Sequence, residues 1–449
     1  MKKFKFVQLE EYYNPLDVYR IFKDEEGSVF LDSSKKDSIY SNYSFIGINT
    51  IWKFKSKGTS CYINDKKIEN VNPFDKLEEL INKYKIQIDS DIPFVGGAIG
   101  YFSYDVGRTL ERLPDTAKED FEIYDSIFAL YENIIIFDLR ENKMYISALS
   151  ENVDKSIGEV NERLKSYKFH DKVAFKERDT RFFSNFNKEE FENGVEAVRS
   201  YIKSGDVYIA NLTRRMWCHN NEDAFYVYEK LRSINEAPFS AFLNYKDFKI
   251  VSSSPERFLN VVDGKVETRP IKGTRPRGKD EEEDLKNRRE LENSEKDKSE
   301  LLMIVDLERN DLSKVCMPGT VNVTELFKIE EYATVFHLVS TIEGQLKSNS
   351  SSVKCMKSCF PGGSITGAPK IRAMEVIEEI EALKRNIYTG SIGYFDLRGN
   401  CDFNIVIRTI VKKGDKAYFG VGGGITWESD KTSEWYETCD KAKALMKVL

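Results

Sequence analysis

Runs of β-branched and aromatic residues, broken by turn formers, recur along the whole chain, and nothing else restricts its fold as much. Before residue 150 they cover 28–32, 43–51, 94–101 and 133–139; after it, 206–216, 239–243, 248–252, 258–262, 391–394, 403–411 and 417–421. Short strands separated by turn residues read as antiparallel hairpins. Within 94–105, F-V-G-G-A-I-G-Y-F-S-Y-D, glycines alternate with aromatics, as strands in close approach require. Helices fall between the strands at irregular places. One spans 187–202, opened by Asn187 and Glu190 in a capping-box pattern and closed by Gly205. A charged stretch, 280–308, carries Leu301, Leu302, Ile304 and Val305 into the core; 369–383 has proline in its first turn, and a last helix starts near 431. Strands mixed with irregular helices predict an α+β fold, not a regular β-α-β repeat. The polar segment 152–180, with a short amphipathic helix near 157–167, marks a boundary. It divides the chain into an N-terminal region 1–150, a charged connecting segment 151–185 and a main region 186–449.

At 449 residues, 41% hydrophobic and 32% charged, the chain can bury a large core. A net charge of -6 gives no reason to expect nucleic acid as a partner. The cysteines (Cys61, Cys218, Cys316, Cys355, Cys359, Cys401, Cys439) are odd in number, scattered and free of any C-x-x-C pair. They read as free thiols in a reducing compartment, with neither disulfides nor a zinc site. The start M-K-K-F-K-F-V-Q-L-E-E has no apolar stretch of signal-peptide length, and no run approaches a membrane span, so a cytoplasmic protein is expected. Three histidines, His170, His219 and His337, leave little for a histidine metal site.

Chemistry concentrates in a few places. R-P-I-K-G-T-R-P-R-G, 269–278, sets Lys272 among Arg269, Arg275 and Arg277, and like charges around an amine favour its free base. An exposed basic turn is the alternative. Asp297 with Glu300, and Glu434 with Glu437, are acidic pairs three residues apart, each on one helix face. Carboxylates from two helices suit a hard cation such as Mg2+, although solvated helix faces have the same spacing. P-G-G-S-I-T-G-A-P-K, 361–370, runs into a helix and offers backbone N–H groups to an anion, but Ala368 stands where a P-loop needs lysine. Gly422, Gly423 and Gly424 form a second place of close backbone approach. Arg408, amid apolar neighbours, requires an acidic partner or an anionic ligand. His337 fits a core histidine, and Glu256 in a turn becomes a candidate general acid if burial raises its pKa. These hints converge on a small anionic substrate held by Mg2+ and arginine.

In order along about 188–449, S-P-E-R-F, R-P-I-K-G-T-R-P-R-G, L-M-I-V-D-L-E-R-N-D-L, F-P-G-G-S-I-T-G-A-P-K-I-R-A-M-E, G-S-I-G-Y, D-F-N-I-V-I-R-T-I and G-G-G-I resemble the chorismate-utilising enzymes. That family includes the anthranilate, aminodeoxychorismate, isochorismate and salicylate synthases. F-L-D-S-S at 30 and Y-S-F-I-G at 43 extend a weaker match into the N-terminal region, which the resemblance interleaves with the core. The resemblance implies two large antiparallel sheets packed face to face with helices outside. It places Mg2+ on Glu300 and Glu437, supported by Asp297 and Glu434. Arg408, Tyr388 and the backbone of Gly422, Gly423 and Gly424 would hold the other end of chorismate, with Thr366 and Lys441 nearby. Lys272 would attack ring carbon C2 as the C4 hydroxyl departs, and ammonia would then add at C4. Glu256 would be the general acid, with His337 assisting.

Within the family, lysine at 272 resembles aminodeoxychorismate synthase component I, where anthranilate synthases carry alanine; A-P-F-S-A-F-L at 237–243 looks the same way. Ile209 stands where isochorismate and salicylate synthases use a lysine base and where the amine-transferring members commonly have glutamine. The implied product is 4-amino-4-deoxychorismate, a precursor of p-aminobenzoate and folate. No G-x-C-x-G pattern is present, so a separate glutamine amidotransferase subunit is implied. The alternatives are anthranilate synthase component I and a non-catalytic regulatory subunit binding chorismate or tryptophan. In some relatives the F-L-D-S-S region holds tryptophan, as a feedback inhibitor or as a buried structural ligand. The matching candidates here are Leu31, Asp32, Ser33, Tyr43, Ser44, Pro238 and Phe239, with Asp32 replacing the usual glutamate or histidine.

Overall fold

A computed structural model describes residues 2–35, 40–167, 175, 179–331 and 335–449. His170 and the middle of the connecting segment lie outside the described residues. Two long strands, Tyr43–Lys57 and Ser126–Asp138, pair antiparallel over nearly their full length and organise everything else. From the first half of Tyr43–Lys57 one layer runs through Val29–Asp32, Phe239–Asn244, Lys249–Ser254, Thr409–Lys413 and Lys416–Ile425 to Ile209–His219. From the first half of Ser126–Asp138 a second layer runs through Gly97–Phe102, Ser391–Asp396, Cys401–Asn404, Arg257–Val262, Lys265–Thr268 and Val335–Gln345, which carries Ile271–Pro276. The two expected sheets are therefore two layers of one continuous hydrogen-bonded ladder, because each long strand is shared by both.

The side chains explain the layering. Phe45, Ile99, Tyr101, Ile136, Leu243, Ile250, Tyr394 and Val411 come from both layers and fill the space between them. On one outer face lie Phe74 and Leu77 of helix Pro73–Asn82 and Leu301, Val305 and Leu312 of helix Glu295–Val315. The other outer face takes Tyr19 and Phe22 of Pro15–Phe22, Tyr228 and Leu231 of Ala224–Ile234, and Leu445 of Lys431–Val448. Alternating burial along strands, with an apolar stripe on each helix, produces this arrangement. The glycines of 94–105 do what their pattern requires: a Cβ on Gly100 would lie 1.9 Å from the Ile127 carbonyl oxygen. The stretch 280–308 holds two helices, not one. Glu281–Glu292 ends, and Ser294 caps Glu295–Val315 through the Asp297 N–H. All seven cysteines are free; Cys316, Cys355, Cys359 and Cys401, remote in sequence, share one core.

Candidate active site

The free ends of the two layers come together at Lys272. It lies on Ile271–Pro276, in a strand whose register shifts between Lys272 and Thr274. Gly273 makes that bulge: its φ is 71°, and a Cβ there would lie 2.9 Å from Asp297 Cγ. The side chain of Lys272 crosses to the other layer. A methyl group on Gly424 would stand 3.3 Å from Lys272 Nζ and 3.0 Å from Ile209 Cδ1. Lys272 Nζ donates to the Ser364 carbonyl at 3.2 Å. The glycine-rich loop thus turns a carbonyl toward the lysine, where the sequence had suggested N–H groups for an anion.

The three arginines do not crowd the lysine. Arg269 pairs with Glu330 at 2.5 Å, Arg275 with Glu290 at 2.8 Å and Asp297 at 3.2 Å, and Arg277 with Asp284 at 2.6 Å. Carboxylates surround Lys272 instead: its charge acts on Glu256, Glu300 and Glu437. Burial drives the Glu256 carboxyl up to about 7, against a hydrogen bond from Ser364 and the charges of Lys272 and Lys441. That is a carboxyl able to hold and give a proton near neutrality.

Glu300 and Glu434 are also buried, and burial raises both, Glu300 to about 7. Lys296, which the sequence reading missed, reaches between them, 3.9 Å from Glu300 Oε1 and 3.5 Å from Glu434 Oε1. Glu437 pairs with Lys441 at 2.6 Å; burial opposes its charge, but Lys441, Lys296 and Lys272 bring its pKa below the usual carboxylate value. A methyl on Gly423 would be 3.3 Å from Glu434 Oε2, 3.4 Å from Glu437 Oε1 and 3.7 Å from Lys441 Nζ. The bare backbone of Gly423 is what admits these three groups to one spot. Among the described residues no three His, Cys, Asp or Glu side chains stand close enough to form a complete metal cage. Glu300, Glu434 and Glu437, three carboxylates from two helices gathered beside Lys296 and Lys441, nevertheless fit Mg2+, which takes one or two carboxylates and completes its shell with water and substrate oxygens. Asp297 is engaged by Arg275 and packed on Gly273, so it supports the helix end.

Arg408 has left-handed backbone, φ 53°, and donates to the Lys441 carbonyl oxygen. No carboxylate of the described residues pairs with it, and burial lowers its pKa. A half-buried guanidinium without an acidic partner is a place for an anionic ligand. The Tyr388 ring lies against Gly420, where a Cβ would come within 2.3 Å of it, and burial raises its hydroxyl pKa. His337 contacts Thr274 Oγ1 through Nδ1 at 2.9 Å; burial, with Lys35 and Arg408 nearby, lowers its pKa to about 4, so it is a neutral imidazole at pH 7. Thr366 is fully buried and donates its hydroxyl to the Gly362 carbonyl at 2.9 Å, so it shapes the loop from within. A buried Arg385–Glu381 pair, at 2.6 Å, fastens the same loop through the Ile365 carbonyl.

The seven candidate tryptophan-site residues gather elsewhere. Leu31, Asp32, Ser33, Tyr43, Pro238 and Phe239 line a cavity of about 540 Å³ to which none of the lysine cluster contributes. Ser44 stands behind the wall, donating to Asp32 at 3.2 Å. Asp32 is already engaged by Tyr228 at 2.8 Å and Arg232 at 2.6 Å. No described helix is long and apolar enough to cross a membrane.

Comparison with known proteins adds the following. A family model described as chorismate binding enzyme matches residues 26–447. Aminodeoxychorismate synthase component 1 of Escherichia coli is 37% identical over 94% of this chain and 93% of its own length. Anthranilate synthase component 1 of Aquifex aeolicus is 34% identical over 97% and 92%. The crystal structure of anthranilate synthase component I from Streptococcus pneumoniae superposes with a TM-score of 0.82 at 31% identity, covering 92% of this chain and 94% of that one.

Proposed function

The chain belongs to the chorismate binding enzyme family and is a chorismate-utilising enzyme, and on that premise we propose that it aminates chorismate at C4 through a covalent adduct on Lys272. This is the activity named for its Escherichia coli relative. The observation that carries the reading is the placement of Lys272 Nζ over Gly424, beside apolar Ile209 and within the field of the buried acid Glu256.

Lys272, its ammonium proton given up to solvent, forms a bond to C2, the two conjugated ring double bonds shift toward C4, and the C4–oxygen bond breaks. Glu256 gives its proton to the departing hydroxyl, which leaves as water. Ammonia then bonds to C4, the two double bonds return, and the C2–nitrogen bond breaks to restore Lys272. Glu256, now a carboxylate, takes back the surplus proton. Splitting one substitution into two steps avoids direct displacement at C4. Arg408 pairs with a substrate carboxylate, and neutral His337 orients Thr274 beside the lysine strand. Glu300 and Glu437, with Glu434 behind them, would hold Mg2+, whose chemistry is to neutralise the other carboxylate. Ammonia would come from a glutamine amidotransferase subunit, consistent with the component 1 names of the relatives.

The test is product identification after incubation with chorismate, MgCl2 and an ammonium salt. The expected product is 4-amino-4-deoxychorismate. Fluorescent anthranilate formed without an added lyase would overturn the proposal in favour of the activity named for the Aquifex relative. Failure to turn over with either ammonia or a glutaminase partner would point to a regulatory subunit.

A further inference from the structure

Lys296 has no part in the scheme above, yet it stands where the carboxylate cluster needs a cation. Its Nζ lies 3.5 Å from Glu434 Oε1 and 3.9 Å from Glu300 Oε1, so it bridges helix Lys431–Val448 and its own helix. Both distances exceed the roughly 2.8 Å of a strong ammonium–carboxylate hydrogen bond. The residue is second in helix Glu295–Val315, behind the Ser294 cap, where the helix dipole disfavours a cation. Its pairing with Glu300 also runs in the weaker direction, lysine before glutamate. The Lys296 side chain is 41% exposed, against 10% for Glu300 and 4% for Glu434. The acids are fixed in the protein, and the ammonium has water beside it.

The other cations of the cluster are held differently. Lys441 pairs with Glu437 at 2.6 Å and donates to the Gly422 carbonyl at 2.8 Å. Lys272 adds its charge but donates to the Ser364 carbonyl. Glu434 Oε1 accepts from Ser429 Oγ at 2.7 Å, so that oxygen keeps a short partner without Lys296. Glu434 Oε2 turns toward Gly423, as Glu437 Oε1 does. Of these ammonium groups, Lys296 is the one suspended on two long contacts and the one free to yield.

We propose that Lys296 is the resident counter-ion of the cluster and that its ammonium group swings out to solvent when Mg2+ binds there. The inference rests on the reading of Glu300 and Glu437 as the metal's ligands, with Glu434 behind them. An octahedral Mg2+ lies about 2.1 Å from its carboxylate oxygens and fills its other directions with water. With the ammonium left in place, two cations would crowd one partly desolvated site, where their repulsion is strongest. A flexible, exposed stem resolves the conflict by leaving two long contacts. Until then the lysine spares the protein a set of buried, uncompensated carboxylates. Metal affinity is thus set in part by a residue that is not a ligand.

The test is calorimetric titration of MgCl2 into the substrate-free protein at about pH 8.5, where protons compete little for the carboxylates. Wild type, Lys296→Met and Lys296→Arg are compared. Methionine keeps the length and removes the charge, so Mg2+ is expected to bind about tenfold more tightly, even if the wild type binds too weakly to measure. Arginine offers the two acids a fork of donors and leaves less readily, so binding is expected to weaken by about threefold. Equal or weaker binding by Lys296→Met overturns the displacement and leaves the metal site standing. Tighter binding by both variants means a merely loosened site and overturns it too. Binding by none of the three proteins overturns the Mg2+ reading itself. The wild type gives a second readout, which decides should the variants not fold. Acylation by acetic anhydride, followed by mass spectrometry, is expected to quicken about threefold at Lys296 as Mg2+ is added and to stay constant at exposed Lys67. A flat or falling rate at Lys296 overturns the proposal. Neither measurement uses chorismate, so a product other than 4-amino-4-deoxychorismate would refute the proposed reaction and leave this inference intact.

Discussion

Lys272 is the residue through which sequence and site meet. Its motif is contiguous, so the lysine, the acid of S-P-E-R-F and the two acidic pairs were all legible before any coordinates. What surrounds them was not. The partners of the nearby arginines, Glu330, Glu290 and Asp284, come from other elements, and sequence proximity misrepresented their influence on the lysine. Lys296 and the Thr268–Glu308 contact were equally hidden, since each depends on two segments meeting in space. Replacing the nucleophile tests its role directly. Lys272→Ala is expected to lower C4 amination on the order of 10³-fold, about 4 kcal/mol of barrier. Calorimetry should show chorismate still binding in the presence of Mg2+. Unchanged amination would remove the covalent step from the scheme.

At the scale of elements, the glycines divide by what stands next to them. Gly100 lies on a strand hydrogen-bonded on both sides, and a Cβ there would lie 1.9 Å from Ile127 O and 2.7 Å from Phe128 Cα. Backbone cannot move aside without parting the strands, so Gly100→Ala should cost upwards of about 3 kcal/mol in chemical denaturation. Gly158, exposed on helix Val153–Ser166 with open space around it, is the control. Gly158→Ala should stabilise by about 0.5–1 kcal/mol. Equal effects of the two would refute the close-approach argument. Capping was read correctly at Asn187 and Glu190, where both hydrogen bonds of the box form. The break at Ser294 was missed because charged residues on both sides masked it. Its signal, a serine three residues before an acidic side chain, was present in the sequence.

For the molecule as a whole, stability carries the signature of its buried acids. Glu256 and Glu300 at about 7 and Glu308 at about 8 all lie above the usual 4.5. The folded state therefore binds more protons than the unfolded chain, and stability falls as pH rises toward those values, by about 1.4 kcal/mol per pH unit for each group. His337, lowered to about 4, opposes this trend only below its ordinary value of 6.5. Between pH 6.5 and 8 the carboxyls act without it. Calorimetric Tm in the metal-free protein should drop across that window, and less steeply in Glu308→Gln; a flat or rising Tm would contradict the buried-acid assignment.

The α+β class was legible in the strand pattern, and the two layers followed from the family resemblance. Neither disclosed that Tyr43–Lys57 and Ser126–Asp138 belong to both layers. That sharing denies the chain a seam. Cut within 151–185, the front piece would keep Val29–Asp32 and Gly97–Phe102 without their neighbours Phe239–Asn244 and Ser391–Asp396. The rear piece would keep the lysine, the acids and the glycines on two fans of strands with no common spine. Each half is the missing template of the other, and the reactive lysine exists as a site only while both are threaded through the same pair of strands.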